Sequence, residues 1–321
     1  MKKLFSLLVI LLTLISCSNV DDVNNPSTQD PIDVYVAGSK NNQACYWKNN
    51  QLVMLDVGML SGQTSAQKII VSDNDVYVFG TAYFPNTDRT EYLFWKNNFL
   101  INLSTTYTTS NASVLLISDM EIENNDVYFV GFTQESDPKT TYWKNGEKIV
   151  LGIAENLIDN PKIKVVNNTI YITGKVNNIE GYYVNGVFNE LQDTFLKDFS
   201  VNNNEVYVCG GKTNGINGYY KNISTGTETI LSNLNFVSKL EFDMNNSYLS
   251  NSEEIYKNTT LIHTVPFATN NIFDFKVLNN NLYIIEGLNV NNNPLIVKIN
   301  NVITMTSAID EGYISLFIDQ N

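Results

Sequence analysis

Apolar and polar positions in this chain alternate in short runs of four to ten residues. The runs are broken by Asn-, Asp- and Gly-rich pairs, and their spacing predicts strands rather than helices. One run recurs as Asp33-Val-Tyr-Val-Ala-Gly38, Asp75-Val-Tyr-Val-Phe-Gly80 and Asp126-Val-Tyr-Phe-Val-Gly131. It returns as Thr169-Ile-Tyr-Ile-Thr-Gly174 and Glu205-Val-Tyr-Val-Cys-Gly210, then in weaker form at Asn246–Asn251 and Asn281–Gly287. The central tyrosines fall at 35, 77, 128, 171, 207, 248 and 283, a mean period of about 41 residues.

A second run follows each first one: Tyr46-Trp-Lys-Asn-Asn50, Phe94-Trp-Lys-Asn-Asn98, Tyr142-Trp-Lys-Asn-Gly146, Tyr182-Tyr-Val-Asn-Gly186 and Tyr219-Tyr-Lys-Asn222. Ile255–Asn258 and Val297–Asn301 complete the series. Asn-Asn and Asn-Gly accept the positive φ angles of a two-residue hairpin turn, so the apolar stretch after each turn is a returning strand. A lead-in strand precedes most first runs, as in Lys68–Asp75. Each unit is therefore four antiparallel strands. Seven such units, apolar on both faces, fit an all-β, seven-bladed β-propeller.

The ends of the chain complement each other. Asp33 begins directly with a second strand, while Tyr313–Gln320 has the pattern of a lead-in strand with nothing after it. The expectation is that the C-terminal strand pairs with the N-terminal blade, closing the ring and removing two exposed sheet edges.

Ahead of the repeats lie Lys2 and Lys3, an apolar stretch from Leu4 to Ile15, and Leu14-Ile15-Ser16-Cys17. This stretch is too short to span a bilayer, and its end resembles the lipobox of bacterial lipoproteins. The resemblance implies cleavage before Cys17 and lipidation of Cys17, the anchor that would hold the chain to a membrane. The expected organisation is a signal peptide at 1–16, a flexible tether at 17–31 and the propeller at 32–321. Asp21 and Asp22 resemble the surface-export signal of Bacteroidota lipoproteins. They point to an outer-membrane lipoprotein, periplasmic or surface-exposed, with the balance toward the surface. The repeat itself is similar to the Tyr-Trp-Lys-Asn-Gly propeller repeats of Bacteroidota secreted proteins and lipoproteins. It lacks the Trp-Asp pairs of WD40 blades and has only one Gly-Gly doublet of the kelch kind, Gly210-Gly211. This resemblance implies a fold and a location, not a reaction.

Charge narrows the partners. Once Lys2 and Lys3 leave with the signal, 18 basic residues face 33 acidic ones, a net −15, and Arg89 is the sole arginine. Such a chain has no electrostatic footprint for nucleic acid. Cys45 and Cys209 fall in blades one and five, too far apart to bridge, and are expected as buried thiols.

The aromatics and acids offer little chemistry. Trp47, Trp95 and Trp143 share one repeat column and read as blade packing rather than sugar platforms. The glycines closing each first run read as residues freed for unusual dihedrals. His263 has no partner signal in the sequence. The Asn- and Asp-rich turns lack the spacing of a calcium loop, so no metal and no cofactor is expected. Asp88, Glu91, Asp137, Asp310 and Glu311 lie on connections but nothing pairs them, so no catalytic residue is assigned. The longest connections, at 56–66, 81–90, 104–113 and 133–141, place the expected ligand face over blades one to three. The reading is a non-catalytic binding or scaffold module for a glycan or protein partner, with a propeller polysaccharide hydrolase or lyase as the alternative.

Overall fold

The Asn pairs close the hairpins as their chemistry demands. Asn49 and Asn50 have φ of 48° and 67°, and Asn97 and Asn98 have 48° and 69°. The turn asparagine also does a second job. The side-chain oxygen of Asn49 accepts the Val34 N–H at 2.9 Å, and its amide donates to Asp33 at 2.6 Å. Asn97 does the same with Val76 and Asp75, and Asn145 with Val127 and Asp126. The preceding lysine completes the cluster. Lys48, Lys96 and Lys144 pair with Asp33, Asp75 and Asp126 at 2.6–2.7 Å and lie 5.0–5.3 Å over the rings of Tyr35, Tyr77 and Tyr128. The repeated letters thus spell one local contact set, copied from blade to blade.

The structure, a computed structural model, describes residues 32–109, 112–154, 160–213, 215, 217–266, 271–287, 294–308 and 310–320. The signal, the tether and Cys17 lie outside the described residues. Residues 33–319 form one compact unit. It contains seven four-stranded antiparallel sheets arranged as a β-propeller. Each blade from the second to the seventh is four strands consecutive in sequence. Blade 2, for example, runs Gln63–Ser72, Asp75–Phe84, Arg89–Lys96 and Phe99–Asn102. Blade 1 takes Glu311–Gln320 as its innermost strand, then Ile32–Lys40, Gln43–Lys48 and Gln51–Met54. The ring is closed by its C-terminal strand, as expected. Across that seam Trp47 packs edge-on against Tyr313 at 4.7 Å, and Lys40 pairs with Glu311 at 2.9 Å.

The core is a set of layers between neighbouring blades. Trp95 is wholly buried with Tyr35, Leu55, Ile69 and Leu93, and its indole N–H donates to the Asp56 carbonyl at 2.6 Å. Trp143 is buried among Tyr77, Phe94 and Phe129. Cys45 and Cys209 are buried and unbridged. The repeat glycines correct the expectation about dihedrals. Gly38, Gly80, Gly131 and Gly210 have ordinary backbone angles. What they provide is space: a Cβ at Gly131 would stand 1.9 Å from the Leu116 carbonyl oxygen, and one at Gly80 would stand 2.3 Å from that of Ser65. Both lie beside a bulge in the innermost strand.

Candidate functional site

The two faces of the ring differ in construction. One carries the turns after the first and third strands of the blades, most of them tight pairs that contain asparagine. The other carries the hairpins between second and third strands and the connections between blades. On this second face, the hairpins of blades 2 and 3 stay paired as far as Phe84–Arg89 and Gln134–Pro138. Blade 4 turns back sooner, at Asn177 and Asn178, with φ of 52° and 60°. A depression lies over this shorter blade.

It comprises two cavities that share Lys175 and Glu180, an ion pair at 2.9 Å. The smaller, about 40 Å³, lies toward blade 3 against Phe132, Pro161 and Leu196. The larger, about 510 Å³, lies toward blade 5 and is lined by Asn178, Glu190, Gln192, Asp193, Thr194 and Phe195. That is the size of a small-molecule site. Room for Phe195 is made by Gly211, since a Cβ there would fall 2.2 Å from the ring. Thr194 is buried, and its hydroxyl faces that of Tyr219. The Tyr219 hydroxyl is also buried; burial pushes its phenol well above the usual range, and the Thr194 hydroxyl offsets only part of this.

The central channel has a different character. The innermost strands place Lys68, Asp119, Lys162, Asp198, Lys239 and Asp274 at one level in blades 2 to 7. Positive and negative charges alternate from blade to blade. Lys68 reaches Asp119 at 2.8 Å, and Lys239 bonds Asp274. Asp119 also accepts the Ile163 N–H of blade 4 at 3.1 Å, and Asp274 accepts the Leu316 N–H of blade 1 at 2.7 Å. By that correspondence the seventh place belongs to Ser315. Seven is odd, so strict alternation cannot close, and the neutral serine takes the position where two like charges would otherwise meet. A second level follows two residues on. There Glu121 bonds Lys164 at 2.7 Å, and Glu241 bonds Lys276 at 2.6 Å. Burial opposes the charge of Glu241, but Lys276 and Lys239 outweigh it and hold its carboxyl at about 2. The channel is thus laced with internally matched ion pairs.

Most acids proposed from sequence are scattered and already engaged. Glu91 is buried between Arg89 at 2.5 Å and the Asn102 amide at 2.6 Å. Asp88 accepts from the Tyr83 hydroxyl at 3.0 Å, and Glu311 bonds Lys40 and Tyr313. Arg89 lies at the exposed tip of the blade 2 hairpin over the ring of Phe84, away from the depression. These two cavities fall over blades 3 to 5. The expected long loops of blades 2 and 3 are largely strand: 81–84 and 89–90 extend one hairpin, and 133–134 and 138–141 extend the other. His263 does have a partner, the carboxylate of Glu286.

Two of these features left a trace in the sequence. The channel residues of blades 2 to 7 all lie nine positions before the repeat tyrosine, so aligning the repeats on that tyrosine exposes the alternation. Glu286 occupies the column that holds glycine in blades 1 to 5.

No protein-family model and no curated protein matches the chain. Solved structures do. Pyrococcus horikoshii acylaminoacyl peptidase, in an orthorhombic crystal form, is similar with a TM-score of 0.51 at 10% identity, over 88% of this chain and 50% of the peptidase chain. A structure from a study of two prolyl endopeptidases gives 0.50 at 10% identity, over 90% of this chain and 50% of that one. A putative 6-phosphogluconolactonase from Bacteroides uniformis gives 0.48 at 12% identity, over 91% and 100%. The chain spans about half the length of the peptidase chains. At such identities the likeness is one of fold, and the fold is the seven-bladed β-propeller.

Proposed function

We propose that this chain is a lipid-anchored propeller of the bacterial cell envelope that binds a glycan in the depression over blades 4 and 5. The observation that carries the reading is the cavity of about 510 Å³, walled by Asn178, Glu180, Glu190, Gln192 and Asp193 with the Phe195 ring beside them. Amides and carboxylates in fixed positions next to an aromatic ring match the hydroxyls and apolar faces of sugars.

The placement of Asp33 supports the same reading. It lies beside Asn49 on the face of asparagine turns, opposite the depression. A tether from a lipidated Cys17 into Asp33 would turn the turn-bearing face to the membrane and the depression away from it. Two measurements test this. Palmitate should label the protein in its host and fail to label Cys17→Ala. The full lipoprotein in detergent micelles should bind immobilised oligosaccharides. Labelling of Cys17→Ala equal to that of the parent refutes the anchor.

A second reading rests on Glu180 and Glu190, which line the same cavity. They sit on neighbouring strands of blade 4, and a pair of carboxylates at one site is what a polysaccharide hydrolase needs. Release of new reducing ends from a bound oligosaccharide, lost in Glu190→Gln, would favour the enzyme over the binding module.

A further inference from the structure

We infer that Asn185 is a site of spontaneous covalent modification. The Asn185-Gly186 turn of blade 4 converts to aspartate and isoaspartate, while the matching Asn145-Gly146 turn of blade 3 is protected. This holds whatever the depression binds.

The reaction belongs to the dipeptide. The Gly186 amide nitrogen attacks the side-chain carbonyl carbon of Asn185, gives up its proton to solvent and expels ammonia, closing a five-membered succinimide. One water molecule then opens the ring at either carbonyl and leaves aspartate or isoaspartate. Glycine favours the attack because it carries no side chain to crowd the approach. Two of the described tight turns present this dipeptide, and both are exposed. Turns at the same place in other blades, such as Asn49-Asn50, Asn97-Asn98 and Asn300-Asn301, put a side chain on the attacking residue.

The two Asn-Gly turns are closely matched. Asn145 and Gly146 have φ of 49° and 86°, and Asn185 and Gly186 have 46° and 85°. Each asparagine N–H donates to a carbonyl of the second strand, that of Val127 or Ile170, at 2.9 Å. Each side-chain oxygen accepts the N–H of that same residue, also at 2.9 Å. They part at the side-chain nitrogen, the group that must leave. Asn145 donates it to one oxygen of Asp126 at 2.7 Å, and Lys144 holds the other at 2.7 Å. In blade 4 those two places are Thr169 and Val184, and among the described residues nothing accepts from the Asn185 amide.

To reach the glycine nitrogen, the asparagine side chain must swing off the strand. In blade 3 that swing breaks a charge-assisted hydrogen bond, and in blade 4 it does not. One such bond accounts for a rate difference of about tenfold. The isoaspartate product adds a methylene to the main chain of a two-residue turn. It falls in the hairpin of Ile179–Val184 and Val187–Glu190, which carries Glu180 and Glu190.

The test is prolonged incubation of the full lipoprotein in detergent micelles at mildly alkaline pH. Peptide mapping by mass spectrometry, with isoaspartyl methyltransferase labelling, then reads each site. Asn185 should convert about tenfold faster than Asn145, a comparison within one unaltered protein that depends on no variant folding. Thr169→Asp with Val184→Lys imports the blade 3 contacts and should slow Asn185 about tenfold; Asp126→Thr should speed Asn145 by a similar factor. Equal rates at the two sites, or faster conversion of Asn145, overturn the inference. So does an Asn185 that stays intact while a free peptide of residues 182–189 converts fully, since the turn alone would then protect both sites. Rates that the substitutions leave unmoved in folded protein overturn the amide clamp as the cause.

Discussion

His263 and Glu286 form a buried pair across the seam between blades 6 and 7, with Nε2 2.5 Å from a carboxylate oxygen. The other carboxylate oxygen bonds Lys298, and the second ring nitrogen lies 3.0 Å from the Asn301 side-chain oxygen. Burial disfavours the charge of Glu286, yet His263 and Lys298 together hold its carboxyl below the ordinary range. Removing the carboxylate strands two cationic or polar partners in a dry seam. Glu286→Ala should therefore cost about 3–5 kcal/mol by denaturant unfolding. A loss under 1 kcal/mol would show that the pair contributes little.

The channel ion pairs predict a direction with pH. Glu241 has a folded-state pKa of about 2 against an ordinary 4.5. A carboxyl depressed on folding stabilises the native state above its unfolded pKa and loses that contribution as pH falls toward the folded value. Glu286 and Asp119, also held low, have the same sign. The melting temperature should thus fall between pH 4.5 and 2, and Lys276→Met should flatten the part owed to Glu241. An unchanged slope in that variant removes the lysine as the cause.

Asp198 is the exception in its ring. Burial pushes its carboxyl upward, Lys162 only partly offsets this, and Asp119 adds like-charge repulsion. Asp119, by contrast, is bonded by Lys68 and the Ile163 N–H. Asp198→Asn should be neutral or stabilising, within about 1 kcal/mol, while Asp119→Asn should cost about 2–3 kcal/mol. Equal losses in chemical denaturation would mean that alternation, and not the local partners, sets the energy.

What the sequence exposed was local and repeated. Asp75, Tyr77, Lys96 and Asn97 recur because they touch one another within a single blade, so each copy selects the same letters. The closing strand was legible because Tyr313–Gln320 left a surplus that only blade 1 could absorb. The ion ring was harder to see because its partners lie in different blades, 51 residues apart for Lys68 and Asp119. Its signal is an alternation between repeats rather than a likeness among them. Glu286 was masked for a related reason: in a degraded copy of the repeat it reads as a lost glycine, although it bonds a histidine of the preceding blade. The depression depends on blade 4 being shorter than its neighbour, and the two-residue turn at Asn177–Asn178 gave no separate sign of that.

Two glycines of blade 3 should fail differently. Gly131 has ordinary angles, but a Cβ would lie 1.9 Å from the Leu116 carbonyl oxygen, which is backbone and cannot swing away. Gly146 has φ of 86°, and a Cβ there would meet the Tyr107 ring at 3.6 Å, an ordinary contact. Gly131→Ala should cost ~3 kcal/mol or more through displacement of the bulge. Gly146→Ala should cost only ~1 kcal/mol, the strain of a left-handed residue, and Gly146→Asn less still. Thermal unfolding of the three variants checks the order. A Gly131→Ala variant as stable as Gly146→Ala would contradict the close-approach account.

The ring closure makes the last prediction. Glu311–Gln320 supplies the innermost strand of blade 1, Tyr313 is buried against Trp47, and Leu316 donates to Asp274 of blade 7. Removing residues 313–321 strips a strand from one blade and a hydrogen-bond donor from the ion ring at once. It also bares the strand Ile32–Lys40, whose Val36 and Ala37 are fully buried in the intact ring. An exposed apolar strand edge recruits other chains, so the truncated protein should scatter light on concentration and lose its single cooperative transition. Circular dichroism melting with parallel light scattering reads both effects. Supplying residues 311–321 in trans as a peptide should restore part of the cooperativity, because the vacated place is a template for one strand only. A truncated chain that stays monomeric and melts like the parent would mean that six complete blades and a three-stranded seventh hold the ring by blade packing alone, leaving the seam without energetic weight.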